Sequence, residues 1–150
     1  MADNELATIP RGSVIRLEVV TPTGPAVRTD VDQVEAPSVN GEFGVLPGHL
    51  PLLAALRAGV VRYRSAGKTF VLAVGTGFAE AGPDKMSILT DRCVESQDVN
   101  IPEARAGLDA AQKKLDAYQG DTGTREHDEL AQSVDWYQAL LDAAKEAGRS

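Results

Sequence analysis

The sequence predicts a mainly β protein with an α-helical C-terminus: an antiparallel β-sandwich of about eight to ten strands, then an antiparallel two-helix hairpin. Three observations carry this. Apolar residues alternate with period two from Ser13 to about Glu95. Turn-forming residues recur at short spacing through the same stretch. After Asp98 the apolar period becomes helical. The expected organisation is a disordered tail over 1–12, a sandwich over 13–97 and a hairpin over 98–150.

The strands follow in order. In "VIRLEVV", Ile15, Leu17 and Val19 alternate with Arg16 and Glu18, as a half-buried strand requires. Val61 and Tyr63 alternate with Arg62 and Arg64, and Phe70, Leu72 and Val74 repeat the pattern. Turns are signalled by "TPTG" (21–24), Asn40-Gly41, "PGH" (47–49), Ala66-Gly67, "GTG" (75–77) and "GPD" (82–84). Frequent turns between short strands favour an antiparallel sandwich over a parallel sheet with crossover helices.

Asn100 can cap the first helix, Pro102 suits its first turn, and Glu103 follows at capping-box spacing. Ala104, Leu108, Ala111, Leu115 and Tyr118 then form one apolar stripe. "QGDTGT" breaks the helix, Thr124 can cap a second, and Leu130, Val134, Tyr137, Leu141 and Ala144 repeat the spacing. These faces lean on alanine, and Gly107 sits mid-helix at a cost of about 1 kcal/mol. Two such helices cannot support a core alone, so they must lean on the sandwich or on a partner.

Composition narrows the function classes. The chain has 150 residues, 43% apolar and 25% charged, with net charge −7. That acidity argues against a nucleic-acid or anionic-membrane footprint. No apolar run approaches the ~20 residues of a membrane helix, so no direct membrane insertion is expected. The N-terminus has neither the basic start nor the apolar core of a signal peptide. Cys93 is the only cysteine and reads as a plain packing or surface thiol, excluding an intrachain disulfide.

One stretch, "GEFGVLPGHLPLL" at 41–53, invites three functional readings. A phosphate-cradling loop fails on spacing, since Gly48 is followed by His49 and Leu50 rather than Lys and Ser or Thr. A catalytic histidine lacks partners: His49 and His127 are the only two, in different halves, with no metal-ligand spacing around them. No nucleophile elbow or paired-carboxylate motif appears, so neither a catalytic site nor a metal site is expected. What remains is a stiff loop carrying apolar residues, suited to a protein contact surface, although several of those residues must also fill the core.

At these residues the chain resembles the epsilon subunit family of bacterial F-type ATP synthases. The resemblance rests on "GEFGVLPGHLPLL" at 41–53, "LRAGVVR" at 56–62, "VGTGFAE" at 74–80, "ILTD" at 88–91 and "IPEARA" at 101–106, spread across about residues 13–145. It implies a non-catalytic rotor subunit of the central stalk of a proton-translocating synthase, peripheral on the cytoplasmic face of the bacterial membrane. The implied partners are the gamma subunit, the c-ring, and the catalytic alpha/beta hexamer through the hairpin. Glu42, Phe43, Val45, Leu46 and His49 become interface candidates, with Glu42 facing the c-ring and His49 at the same end. In the family the hairpin can extend and inhibit ATP hydrolysis, and some members bind ATP through an Asp-x-x-Arg-Ala motif. Here Pro102 holds the Asp position while Arg105 and Ala106 match. Arg105 is therefore the one nucleotide-contact candidate, or else pairs locally with Asp109, and no cofactor is expected. The second helix is acidic, which weakens the implied contact with an acidic catalytic segment. A second reading is a stand-alone β-sandwich that senses a nucleotide through the hairpin.

Overall fold

The computed structural model describes residues 13–150; the tail expected over 1–12 lies outside them. Ten strands precede two helices: β1 (Ile15–Thr21), β2 (Gly24–Val31), β3 (Gln33–Ser38), β4 (Gly41–Val45), β5 (Leu52–Leu56), β6 (Gly59–Ser65), β7 (Lys68–Val74), β8 (Gly77–Ala81), β9 (Lys85–Thr90) and β10 (Cys93–Glu95). A short 3-10 turn over Ser96–Asp98 leads into α1 (Ile101–Asp116) and α2 (Arg125–Glu146).

The sheet runs β10-β7-β6-β3-β5-β8-β9-β1-β2, with β4 attached to β3. Neighbours are antiparallel with one exception. β1 pairs with β9 in parallel, Leu17 opposite Met86 and Val19 opposite Ile88. The sheet is therefore mixed rather than purely antiparallel, because the N-terminal strand is inserted between β2 and β9, strands distant from each other in sequence.

The core follows the alternation. Ile15, Leu17 and Val19 are fully buried, with Val34, Val61, Leu72, Val74, Met86 and Ile88 around them. Phe70 departs from its expected inward place: it is 41% exposed and stacks on Tyr63 at 5.0 Å. The turns lie where expected, and at the Ala66-Gly67 turn both residues take positive φ, 51° and 76°.

Both helices are capped as the sequence predicts. Asn100 accepts from the Glu103 N–H at 3.1 Å, and Thr124 accepts from the His127 N–H at 3.2 Å. α1 presents Ala104, Leu108, Ala111 and Leu115 to α2 from one stripe, of which Ala104 and Ala111 are buried. α2 carries a second apolar face that the sequence reading missed. Trp136, Ala139 and Ala143 pack onto Val60 of β6 and Ala73 of β7, with Val71, Val94 and Leu140 at the margin. α2 thus lies between α1 and the sheet, and the hairpin is docked. A smaller cluster of Val99, Ala104 and Ala144 closes its base.

Candidate functional site

The 41–53 stretch is shaped by the β3–β4 turn, where the Ser38 hydroxyl donates to the Gly41 carbonyl at 2.6 Å and accepts from the Asn40 N–H at 3.1 Å. Alternation then sorts the side chains of β4. Glu42 is exposed, Phe43 is half-buried against the core, and Val45 is 1% exposed. Val45 therefore belongs to the core and not to an interface, because the inward phase of β4 carries it opposite Val34. Leu46 and Leu50 do face outward, at 60% and 79% exposed.

The PGH turn is rigid for identifiable reasons. The Gly48 N–H donates to the Pro83 carbonyl at 2.7 Å, tying the loop to the β8–β9 turn, and the His49 N–H donates to the Leu46 carbonyl at 3.1 Å. Gly48 has φ +87°, which disfavours any side chain there. His49 is half-exposed, and its Nδ1 meets the Leu50 carbonyl oxygen, so Nδ1 carries the proton. With a backbone carbonyl as that partner, the ring is oriented by its own loop. Glu42 and His49 do not share one end: Glu42 lies beside the β3–β4 turn, and His49 lies past the far end of β4. β4 is extended, and the Glu42–Val45 span alone covers about 10 Å.

Glu42 instead looks toward the hairpin. Its carboxylate accepts from Arg62 Nη1 at 3.0 Å, and the same Nη1 reaches Glu35 at 3.3 Å. The other edge of the guanidinium grips Glu146 in the last turn of α2 with two hydrogen bonds, one of 2.6 Å from Nε and one from Nη2. The Glu146 hydrogen bonds are the main reason the Arg62 pKa is raised; burial opposes the rise and Glu42 adds to it. Arg105 is exposed on α1, near Arg149 and the last turns of α2. Its expected local partner Asp109 is taken by Lys113 at 3.0 Å. Cys93 packs against the core; burial, then Glu95, pushes its thiol up to about 11.

A further surface escaped the sequence reading. Paired residues of neighbouring strands share a face, and one outward row runs Ala55, Phe78, Leu89, Val20 across β5, β8, β9 and β1. Phe78 is 57% and Leu89 55% exposed, and Leu53 beside them is 72% exposed. The available signal was Leu89 following the core residues Met86 and Ile88, an apolar side chain on each phase of one strand. The hairpin covers the outward side of β6 and β7; no described residue covers this row. Among the described residues no helix is long and apolar enough to cross a membrane, and no group of three His, Cys, Asp or Glu side chains converges as a metal site.

Residues 14–96 match the family model of the ATP synthase delta/epsilon chain β-sandwich domain. The chain belongs to the ATP synthase delta/epsilon chain family. An ATP synthase epsilon chain of Anoxybacillus flavithermus is 40% identical over 105 residues, 70% of this chain and 78% of that one. One from Magnetococcus marinus is 39% identical over 132 residues, 88% and 95% of the two chains. In three dimensions the chain is similar to one in the Euglena gracilis mitochondrial ATP synthase structure of OSCP, F1 and c-ring, at TM-score 0.73 and 20% identity, covering 92% of this chain and 84% of that one. A chain of the Tetrahymena thermophila central stalk and c-ring is similar at TM-score 0.56 and 12% identity, covering 87% and 96%. As an epsilon-type chain it is a non-catalytic rotor subunit of ATP synthase.

Proposed function

We propose that the outward row of β5, β8, β9 and β1 grips the gamma subunit, so that the sandwich turns with the central stalk and couples ring rotation to ATP synthesis. The observation carrying this is the bare apolar row Leu53, Phe78 and Leu89, on a sheet whose other outward face is already covered by α2. Large exposed apolar side chains on stiff strands suit torque transfer, because the contact buries area without a mobile loop. The exposed Glu42 provides the polar contact toward the c-ring of a proton-translocating synthase on the cytoplasmic face of the bacterial membrane, while Leu46 and His49, past the far end of β4, extend the contact surface at the other end. Phe43, half in the core, positions Glu42 beside it.

Co-purification with gamma tests the reading. Phe78→Glu should abolish recovery of gamma while the melting temperature of the free chain stays within about 2 °C, since an exposed substitution changes stability by about 0.5 kcal/mol or less. Undiminished recovery of gamma with both Phe78→Glu and Leu89→Glu would remove this surface from the interface.

The docked hairpin is the regulatory element of this reading, with weak inhibition of ATP hydrolysis, since α2 carries Glu126, Asp128, Glu129, Asp135, Asp142 and Glu146 against Arg125 and Lys145. Deleting residues 101–150 should raise hydrolysis by the complex less than twofold; no rise at all would leave the hairpin without an inhibitory role. Nucleotide is not held tightly, because Pro102 offers neither a carboxylate nor an N–H beside Arg105. Calorimetric titration of the isolated chain with ATP should show no binding at micromolar concentrations, and tight binding would instead support a stand-alone sandwich that senses nucleotide through the hairpin.

A further inference from the structure

We propose that Arg62 is a shared cation linking the surface carboxylate Glu42 to docking of the hairpin, so that a cationic group of a partner engaging Glu42 tightens the docked state. Among the described residues, Arg62–Glu146 is the sole side-chain ion pair between the strands and the helices. It joins residues 84 apart in sequence, and its two side chains are only 26% and 31% exposed, so screening by water is incomplete. The two-pronged grip of Nε and Nη2 on one carboxylate is the strong form of an ion pair.

Three carboxylates surround this one guanidinium: Glu35 and Glu42 from the sheet, Glu146 from α2. Asp135, Asp142, Lys145 and Arg57 line the same cleft. The junction itself is thus short of positive charge. Glu42 repels Glu146 and competes with it for Arg62, and both effects weaken docking. Glu35 stays on Nη1, so the orientation of the guanidinium does not depend on Glu42. Satisfying Glu42 elsewhere leaves more of the Arg62 field for Glu146, and the linkage is reciprocal: a docked hairpin makes Glu42 a better acceptor for an external cation. The partner half of this proposal rests on reading Glu42 as a contact residue. The latch itself needs no partner.

Amide hydrogen exchange on the full chain reads both parts, with exchange in α2 over 136–146 compared against β1 and β9. Arg62→Gln should accelerate exchange in α2 about fivefold, the scale of a modest ion pair, with β1 and β9 unchanged. Glu146→Gln, on the far partner, should do the same and stands in should Arg62→Gln fail to fold. Glu42→Gln should slow exchange in α2 by about twofold, and that slowing should vanish in the Arg62→Gln background. Unaltered α2 protection in Glu146→Gln would overturn the latch. A Glu42→Gln effect that is absent, of opposite sign, or indifferent to Arg62 would overturn the linkage. Loss of gamma binding by Phe78→Glu would leave all these rates untouched, so failure of the gamma reading and failure of the latch are separable.

Discussion

Gly107 carries a helix penalty of about 1 kcal/mol relative to alanine for a reason that only the packed hairpin displays. A Cβ at this position would lie 2.2 Å from the ring of Tyr137, so the missing methyl is the space into which α2 inserts its tyrosine. Gly107→Ala is therefore expected to destabilise by about 1–3 kcal/mol, the usual cost of overpacking, instead of stabilising. Denaturant melts should show this, and the sign should reverse in a Tyr137→Ala background. Cys93 gives a second residue-scale prediction. Its folded pKa lies at about 11 against an ordinary 9.0, so the unfolded chain releases the proton first as pH rises. Stability tied to this thiol is fully present below pH 9 and is lost between 9 and 11, where Cys93→Ser should melt with a shallower pH dependence. Sequence alone separates neither case from its ordinary counterpart: the glycine looks like a flaw and the cysteine like any other apolar residue, because the neighbour that decides each lies in another element or is set by burial.

At the scale of elements, period and caps were legible, and partners were not. The Asn100 and Thr124 caps appear as read, and so does the stripe of α1 as far as Leu115, since capping and periodicity are local properties; Tyr118 falls past the helix end at Asp116. The second face of α2 was hidden because Trp136, Ala139 and Ala143 interleave with the first face, giving a broad apolar arc that resembles one noisy stripe. The two faces should respond differently to substitution. Leu141→Asp should separate the helices from each other. Ala143→Asp, placed against the sheet where exposure is zero, should release the hairpin from the strands and shift emission of the single tryptophan to the red. Equal Trp136 emission in the two variants would contradict this division. The β4 strand shows the same limit from another side. Its stiff loop was readable from Gly and Pro, yet which of its apolar residues faced in depended on register, and Val45 fell on the inner phase.

For the whole molecule, the main core of Ile15, Leu17, Val61, Leu72, Val74, Met86 and Ile88 contains no residue of the hairpin. A chain ending at residue 100 should therefore keep a cooperative thermal transition by circular dichroism, while exposing Val60, Val71 and Ala73 and precipitating more readily. The exposed apolar row is the part of the molecule the sequence conveyed least, because Leu53, Phe78 and Leu89 come from strands that become neighbours only in the finished sheet. The parallel pairing of β1 with β9 has an effect during synthesis. A chain emerging from the ribosome offers β1 only β2 as a neighbour until Lys85–Thr90 has left the exit tunnel. Until then Ile15, Leu17 and Val19 face water along an open edge, so a nascent chain stalled before residue 85 should be the species that chaperones capture.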